Sequence, residues 1–110
     1  MSDTCTHDTC PAPIAYEEKH LQTAAAMCQA MSDPARLRLL LLLSSREMCV
    51  SELVECEQGK LSSVSARLQT LFNAGLVSRR RDAKHIFYAL ADEHVRVLLS
   101  NILSHAEHAA

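Results

Sequence analysis

Asp92, His94, His105 and His108 are metal-binding residue types, and all four fall in the final stretch of the chain. On a helix turning about 100° per residue, the eleven steps from His94 to His105 make three turns plus about 20°. Both imidazoles therefore lie on one stripe, and His108 follows about 60° further round. The rise of about 1.5 Å per residue puts His94 and His105 about 16 Å apart along the axis. Zinc–ligand bonds of about 2.0–2.2 Å cannot bridge that gap. A second copy of the helix lying antiparallel would bring Asp92 and His94 of one chain to His105 and His108 of the other. Three nitrogens and one oxygen then make a closed tetrahedral set suited to Zn(II), with Co(II) as a substitute. The spacing predicts a homodimer with two symmetry-related metal sites. Asp92 is also a good helix N-cap, and a histidine suits a helix C-terminus. Capping does not account for His94 lying on the stripe of His105.

Thiols form a second group. The five cysteines are Cys5, Cys10, Cys28, Cys49 and Cys56. In a reducing compartment an odd number reads as metal ligands, redox thiols or packing residues, not as a disulfide framework. Cys5, His7 and Cys10 lie in residues 1–15, a proline-containing stretch with little apolar content that reads as a flexible arm. Cys28, on the inward stripe of the first helix, and Cys56, at the end of the third, read as packing residues. His20 and His85 read as surface or packing residues.

The elements that position these groups follow from the apolar spacing. The chain has 110 residues, 48% of them hydrophobic, with only two glycines and three prolines. That fits one mostly regular domain, over residues 16–108, which dimerisation would help to stabilise. Leu21, Ala24, Ala25 and Cys28 mark a first helix over 16–31. Asp33 and Pro34 are an N-cap and first helical position, opening a leucine-rich buried helix to about Ser44. Val50, Leu53 and Val54 give a third helix over about 50–57. Leu61, Val64, Leu68 and Leu71 give a fourth over 61–74, closed by Gly75. Leu76–Arg81 and His85–Leu90 read as strands joined at Asp82-Ala83-Lys84. Asp92 caps a fifth helix running to about His105, with Val95, Leu98, Leu99 and Ile102 as its apolar face. Four helices, a hairpin and a fifth helix make a mainly α winged helix-turn-helix.

Such a module reads DNA with the outer face of its fourth helix. That face carries Ser62, Ser63, Ser65, Arg67, Gln69 and Thr70, whose hydroxyls, amide and guanidinium can reach base edges and phosphates. Arg79, Arg80, Arg81 and Lys84 on the hairpin would supply phosphate contacts. The net charge of −2 does not itself announce a nucleic-acid partner, so the clustering of these cations carries the expectation.

These segments resemble one family as a set. Ser32-Asp33-Pro34-Ala35-Arg36-Leu37-Arg38-Leu39-Leu40 is similar to the "L(S/A)DPTRLRIL" segment of the ArsR/SmtB metalloregulatory repressors. Glu47-Met48-Cys49-Val50-Ser51-Glu52-Leu53 resembles their "ELCVCDL" motif. Ser62-Ser63-Val64-Ser65-Ala66-Arg67-Leu68 resembles their "SAVSHHL" recognition helix. Gly75-Leu76-Val77 and Tyr88-Ala89-Leu90 resemble the wing, and the D-x-H…H-x-x-H pattern resembles the helix-5 zinc site. The resemblance covers about residues 18–108. It implies a dimeric repressor that holds double-stranded operator DNA when metal-free and releases it on binding metal, controlling metal efflux or sequestration genes. It also implies a thiolate site in which Cys5 and Cys10, with His7, fold over Cys49. Such a set would favour Cd(II), Pb(II) or Cu(I), as well as Zn(II). Ser51 stands where many thiolate-sensing members carry a second cysteine, Ala66 replaces a histidine, and the wing turn lacks glycine.

Other classes fit less well. There is no glycine-rich phosphate loop, nucleophile elbow or His-Glu-x-x-His, so no enzyme is expected. The alternative within the same fold is a thiol-redox repressor using its cysteines. The longest aliphatic run, Leu39–Leu43, is too short to cross a bilayer, and with no secretory signal the expected location is cytoplasmic, with no membrane partner.

Overall fold

A computed structural model describes residues 14–109. The elements, in order, are α1 (Glu18–Ala30), α2 (Pro34–Ser45), β1 (Met48–Cys49), α3 (Val50–Glu57), α4 (Leu61–Asn73), β2 (Val77–Asp82), β3 (His85–Leu90) and α5 (Glu93–Ala109). The winged helix-turn-helix order is the one the apolar spacing predicts.

Local chemistry sets most boundaries. Asp33 accepts the Arg36 backbone N–H at 3.0 Å with Pro34 beginning α2, so one orphan donor of the first turn is satisfied. The Arg36 side chain donates back to the Ala30 carbonyl at 2.6 Å, capping the end of α1. Glu52 accepts the Cys49 N–H at 2.9 Å and so fixes the start of α3. Gly75, at φ 78, ends α4 in a left-handed turn: Leu76 N–H bonds the Leu71 carbonyl and Gly75 N–H the Phe72 carbonyl, both at 3.0 Å. This is a Schellman closure, which favours a residue without a Cβ.

The core lies where α2, α3, α4 and α5 meet the sheet. Leu39, Leu40 and Leu43 of α2 pack with Leu53, Val64, Leu68, Leu71 and Leu99, all essentially inaccessible to solvent. Burying a leucine of this kind contributes about 1.5–3 kcal/mol. The antiparallel sheet has the order β1-β3-β2. Met48 pairs with Tyr88 and Cys49 with Phe87 on one side of β3, while Arg79 pairs with Tyr88 and Arg80 with Phe87 on the other. Met48 and Tyr88 close the core from the sheet side.

Five expectations are corrected. The two-residue strand β1 has no counterpart in the apolar pattern, because two residues give no alternation to detect. Leu61, assigned to the inner stripe of α4, is 61% exposed because it is the first helical residue and precedes the part packed on the core. Cys28 and Cys56 are exposed in the single chain and do not pack in its core. Leu21, Ala24 and Ala25 share that exposure, and α1 turns Ala30 and part of Met27 inward instead. The apolar face of α5 is also split: Val95 and Leu99 are buried, whereas Leu98 and Ile102 point outward and α5 runs on to Ala109.

Candidate metal centre and nucleic-acid interface

Asp92 begins α5. Its Oδ1 accepts the Val95 N–H at 3.2 Å and lies 3.5 Å from His94 Nδ1. The His94 side chain is 97% exposed. His105 and His108 are exposed near the other end of the same helix. Between them Val97, Leu98 and Ile102 remain 50%, 43% and 42% exposed. The outer face of α5 is therefore apolar at its centre and ligand-bearing at its ends. Among the described residues of a single chain, no group of three or more His, Cys, Asp or Glu side chains converges on one point. The spacing along α5 forces that result. The donor types fit zinc, but within one chain they are too far apart to close around it. On the inner side, the Arg96 guanidinium donates to the Ser44 carbonyl and fastens α5 to the end of α2.

Cys49 is buried at the N-terminus of α3, its Sγ 3.2 Å from Ser51 Oγ. The expected companions Cys5, His7 and Cys10 lie outside the described residues.

The DNA-reading candidates divide by how engaged they are. On α4, Ser62, Ser65, Gln69 and Thr70 are exposed, while Ser63 and Arg67 are half-buried. Gln69 accepts from Arg79 Nη1 at 3.3 Å and donates to Asn73 at 2.9 Å, and the Thr70 hydroxyl donates back to the Ala66 carbonyl. Arg79 stacks on Phe72 with Cζ 3.8 Å from the ring centroid, so the wing is packed against α4. Ser65 and Lys84 face one open groove of about 380 Å³ between α4 and the hairpin, with Cys49 also on its wall. Arg80 differs from its neighbours, because it forms a two-point pair with Glu47. Hydrogen bonding to Arg80 holds the Glu47 carboxyl below the usual carboxylate range and raises the guanidinium in turn. Glu52 is lowered as well, first by the Cys49 N–H and then by Arg46.

Sequence reasoning missed Glu47 and Arg96. Both act on groups far away in the chain, and spacing does not report such contacts.

Known proteins resemble this chain in sequence and fold. The sequence signature of the family described as "Bacterial regulatory protein, arsR family" covers residues 33–79, from the cap of α2 into the wing. The HTH-type transcriptional regulator KmtR of Mycobacterium tuberculosis is 38% identical over 102 residues, covering 93% of this chain and 77% of that protein. The transcriptional repressor SmtB homolog of Synechocystis is 36% identical over 86 residues, covering 78% of this chain and 65% of that protein. The solution structure of the homodimeric winged helix-turn-helix DNA-binding domain Mb0332 from Mycobacterium bovis superposes with a TM-score of 0.77 at 28% identity. That match covers 87% of this chain and 91% of that one.

Proposed function

Because the chain belongs to the ArsR/SmtB family of metal-responsive transcriptional repressors, which are DNA-binding proteins and not enzymes, we propose that it binds operator DNA as a metal-free homodimer. In this reading it lets go when Zn(II), or a related ion such as Co(II), occupies paired sites on α5, and so controls genes for metal efflux or sequestration.

The observation that carries this reading is the outer stripe of α5, with Val97, Leu98 and Ile102 exposed between the two ligand pairs. Laying this face antiparallel on its own copy covers the apolar centre and brings Asp92 and His94 of one protomer to His105 and His108 of the other. A two-fold interface pairs the same patch with itself, so two sites form together. The exposed stripe of α1, Leu21 to Cys28, offers further surface for the same interface.

The donors would hold a metal through three imidazole nitrogens and one carboxylate oxygen, which suits Zn(II) without an open position. When bound, the ion supplies a four-point link between the protomers. Arg96 ties each α5 to α2, and α2 packs on α4, so the angle between protomers sets the separation of the two α4 helices. Operator half-sites lie about 34–36 Å apart, and a locked separation that misses this value lowers DNA affinity. In this reading Ser62, Ser65 and Arg67 would read bases, with Arg79, Arg81 and Lys84 contacting the backbone. Cys49 with Cys5, His7 and Cys10 would form a separate site for softer ions, Cd(II), Pb(II) or Cu(I), a reading that rests on the family resemblance and the position of Cys49.

The test is anisotropy of a labelled duplex from the chain's own upstream promoter, with metal content measured per dimer. Tight binding in chelator, lost as two Zn(II) enter each dimer, supports the reading. Release by oxidant without metal, abolished by removing a cysteine pair, would replace it with the thiol-redox repressor. Absence of sequence-specific binding would overturn both.

A further inference from the structure

Arg80 is the middle one of three consecutive arginines on β2, yet every edge of its guanidinium meets a neighbour. Nε donates to Glu47 Oε2 at 2.8 Å and Nη2 to Glu47 Oε1 at 2.7 Å. Nη1 lies 3.8 Å from Asp82 Oδ2. The Cζ atom sits 4.7 Å from the centroid of the Phe87 ring. In the sheet register Arg80 is opposite Phe87, and Phe87 is opposite Cys49. The Arg80 side chain therefore crosses the central strand and grips the residue just before β1. Neither the Arg81 nor the Lys84 side chain makes a hydrogen bond or ion pair among the described residues.

We propose that Glu47 and Arg80 form a clamp that anchors the wing, with Arg80 positioning the hairpin and not contacting phosphate. β1 runs directly into α3, so a tie from β2 across β3 to Glu47 fixes the tilt of the hairpin against the helix-turn-helix. Arg81 and Lys84 are then presented to the DNA backbone at a set height beside α4. A lysine cannot reproduce the two-point geometry, whereas it can replace an arginine that merely neutralises phosphate. The inference rests on the reading that the wing lies against DNA.

The experiment measures binding to a random-sequence duplex over a range of KCl concentrations, so no operator is needed. Each phosphate that is no longer neutralised lowers the slope of log K against log salt by about 0.9. Arg81→Gln should show that fall. Arg80→Lys and Arg80→Gln should weaken binding alike, by about two- to fivefold as expected for an exposed paired charge, with the slope unchanged. Glu47→Gln should match them, and the double variant should lose nothing more. Amide exchange of β2 and β3 in the free protein should quicken in Arg80→Lys and Glu47→Gln. The clamp is overturned if Arg80→Lys behaves as wild type while Arg80→Gln lowers the slope by about 0.9, if Glu47→Gln binds more tightly, or if exchange is unchanged. Failure of the wild-type protein to bind any duplex would count against the proposed function, while the exchange measurement still decides the clamp.

Discussion

One oxygen of the Asp92 carboxylate lies 3.5 Å from His94 Nδ1 while also accepting the Val95 N–H at 3.2 Å. The second oxygen makes no hydrogen bond among the described residues. A single carboxylate can thus cap α5 and still present a free oxygen outward. Asp92→Asn keeps the cap but removes the anionic donor. Its thermal unfolding should match wild type, while its Zn(II) affinity should fall by at least about tenfold. Unchanged Zn(II) affinity in a competition titration would reduce Asp92 to a cap.

The exposed centre of α5 gives a prediction about assembly. Leu98→Asp replaces an apolar side chain that appears twice in a two-fold interface. The loss should reach about 3 kcal/mol or more for the two copies. Sedimentation should then show monomers at concentrations where wild type is dimeric, with Zn(II) binding and DNA binding weakened together. A variant that stays dimeric would place the interface elsewhere.

The elements of this fold were legible wherever periodicity was long enough. The 3-4-3 spacing of Leu61, Val64, Leu68 and Leu71 locates α4, although the first of these leucines is exposed at the helix start. The Asp33-Pro34 cap and Gly75 place two boundaries to within a residue. β1 was not legible, because its two residues are recruited by pairing with Tyr88 and Phe87 and not by any pattern of their own. The outward turn of Leu98 was hidden too, since apolar spacing reports a helix face without saying which molecule covers it. The Glu47 pair with Arg80 links residues 33 positions apart, and only the register of the sheet brings them together.

The wing turn carries a strained residue. Ala83 has φ 57 in the two-residue connection between Asp82 and His85. A side-chain-bearing residue costs about 1–2 kcal/mol in the left-handed region, which glycine avoids. Ala83→Gly should raise the urea unfolding free energy by about 1 kcal/mol with an unchanged m-value. Destabilisation would show that the turn is relaxed in solution.

Base reading and backbone contact should separate by residue. Arg67→Gln should cost about 1–3 kcal/mol on the operator and little on a random duplex. Lys84→Gln should weaken both duplexes and lower the salt slope by about 0.9. If Arg67→Gln weakened both duplexes equally, it would be a phosphate contact.

The central claim, that each metal site is built by two chains, is tested most directly by mixing two defective ones. Alone, His94→Gln and the double variant His105→Gln/His108→Gln should each fail to bind Zn(II) tightly. A heterodimer of the two keeps Asp92 and His94 on one chain and His105 and His108 on the other, which reconstitutes one site and leaves the second without its histidines. Metal analysis of the purified heterodimer should give one tightly held Zn(II) per dimer. No tight Zn(II) in the heterodimer, or full binding by either variant alone, would contradict the shared site.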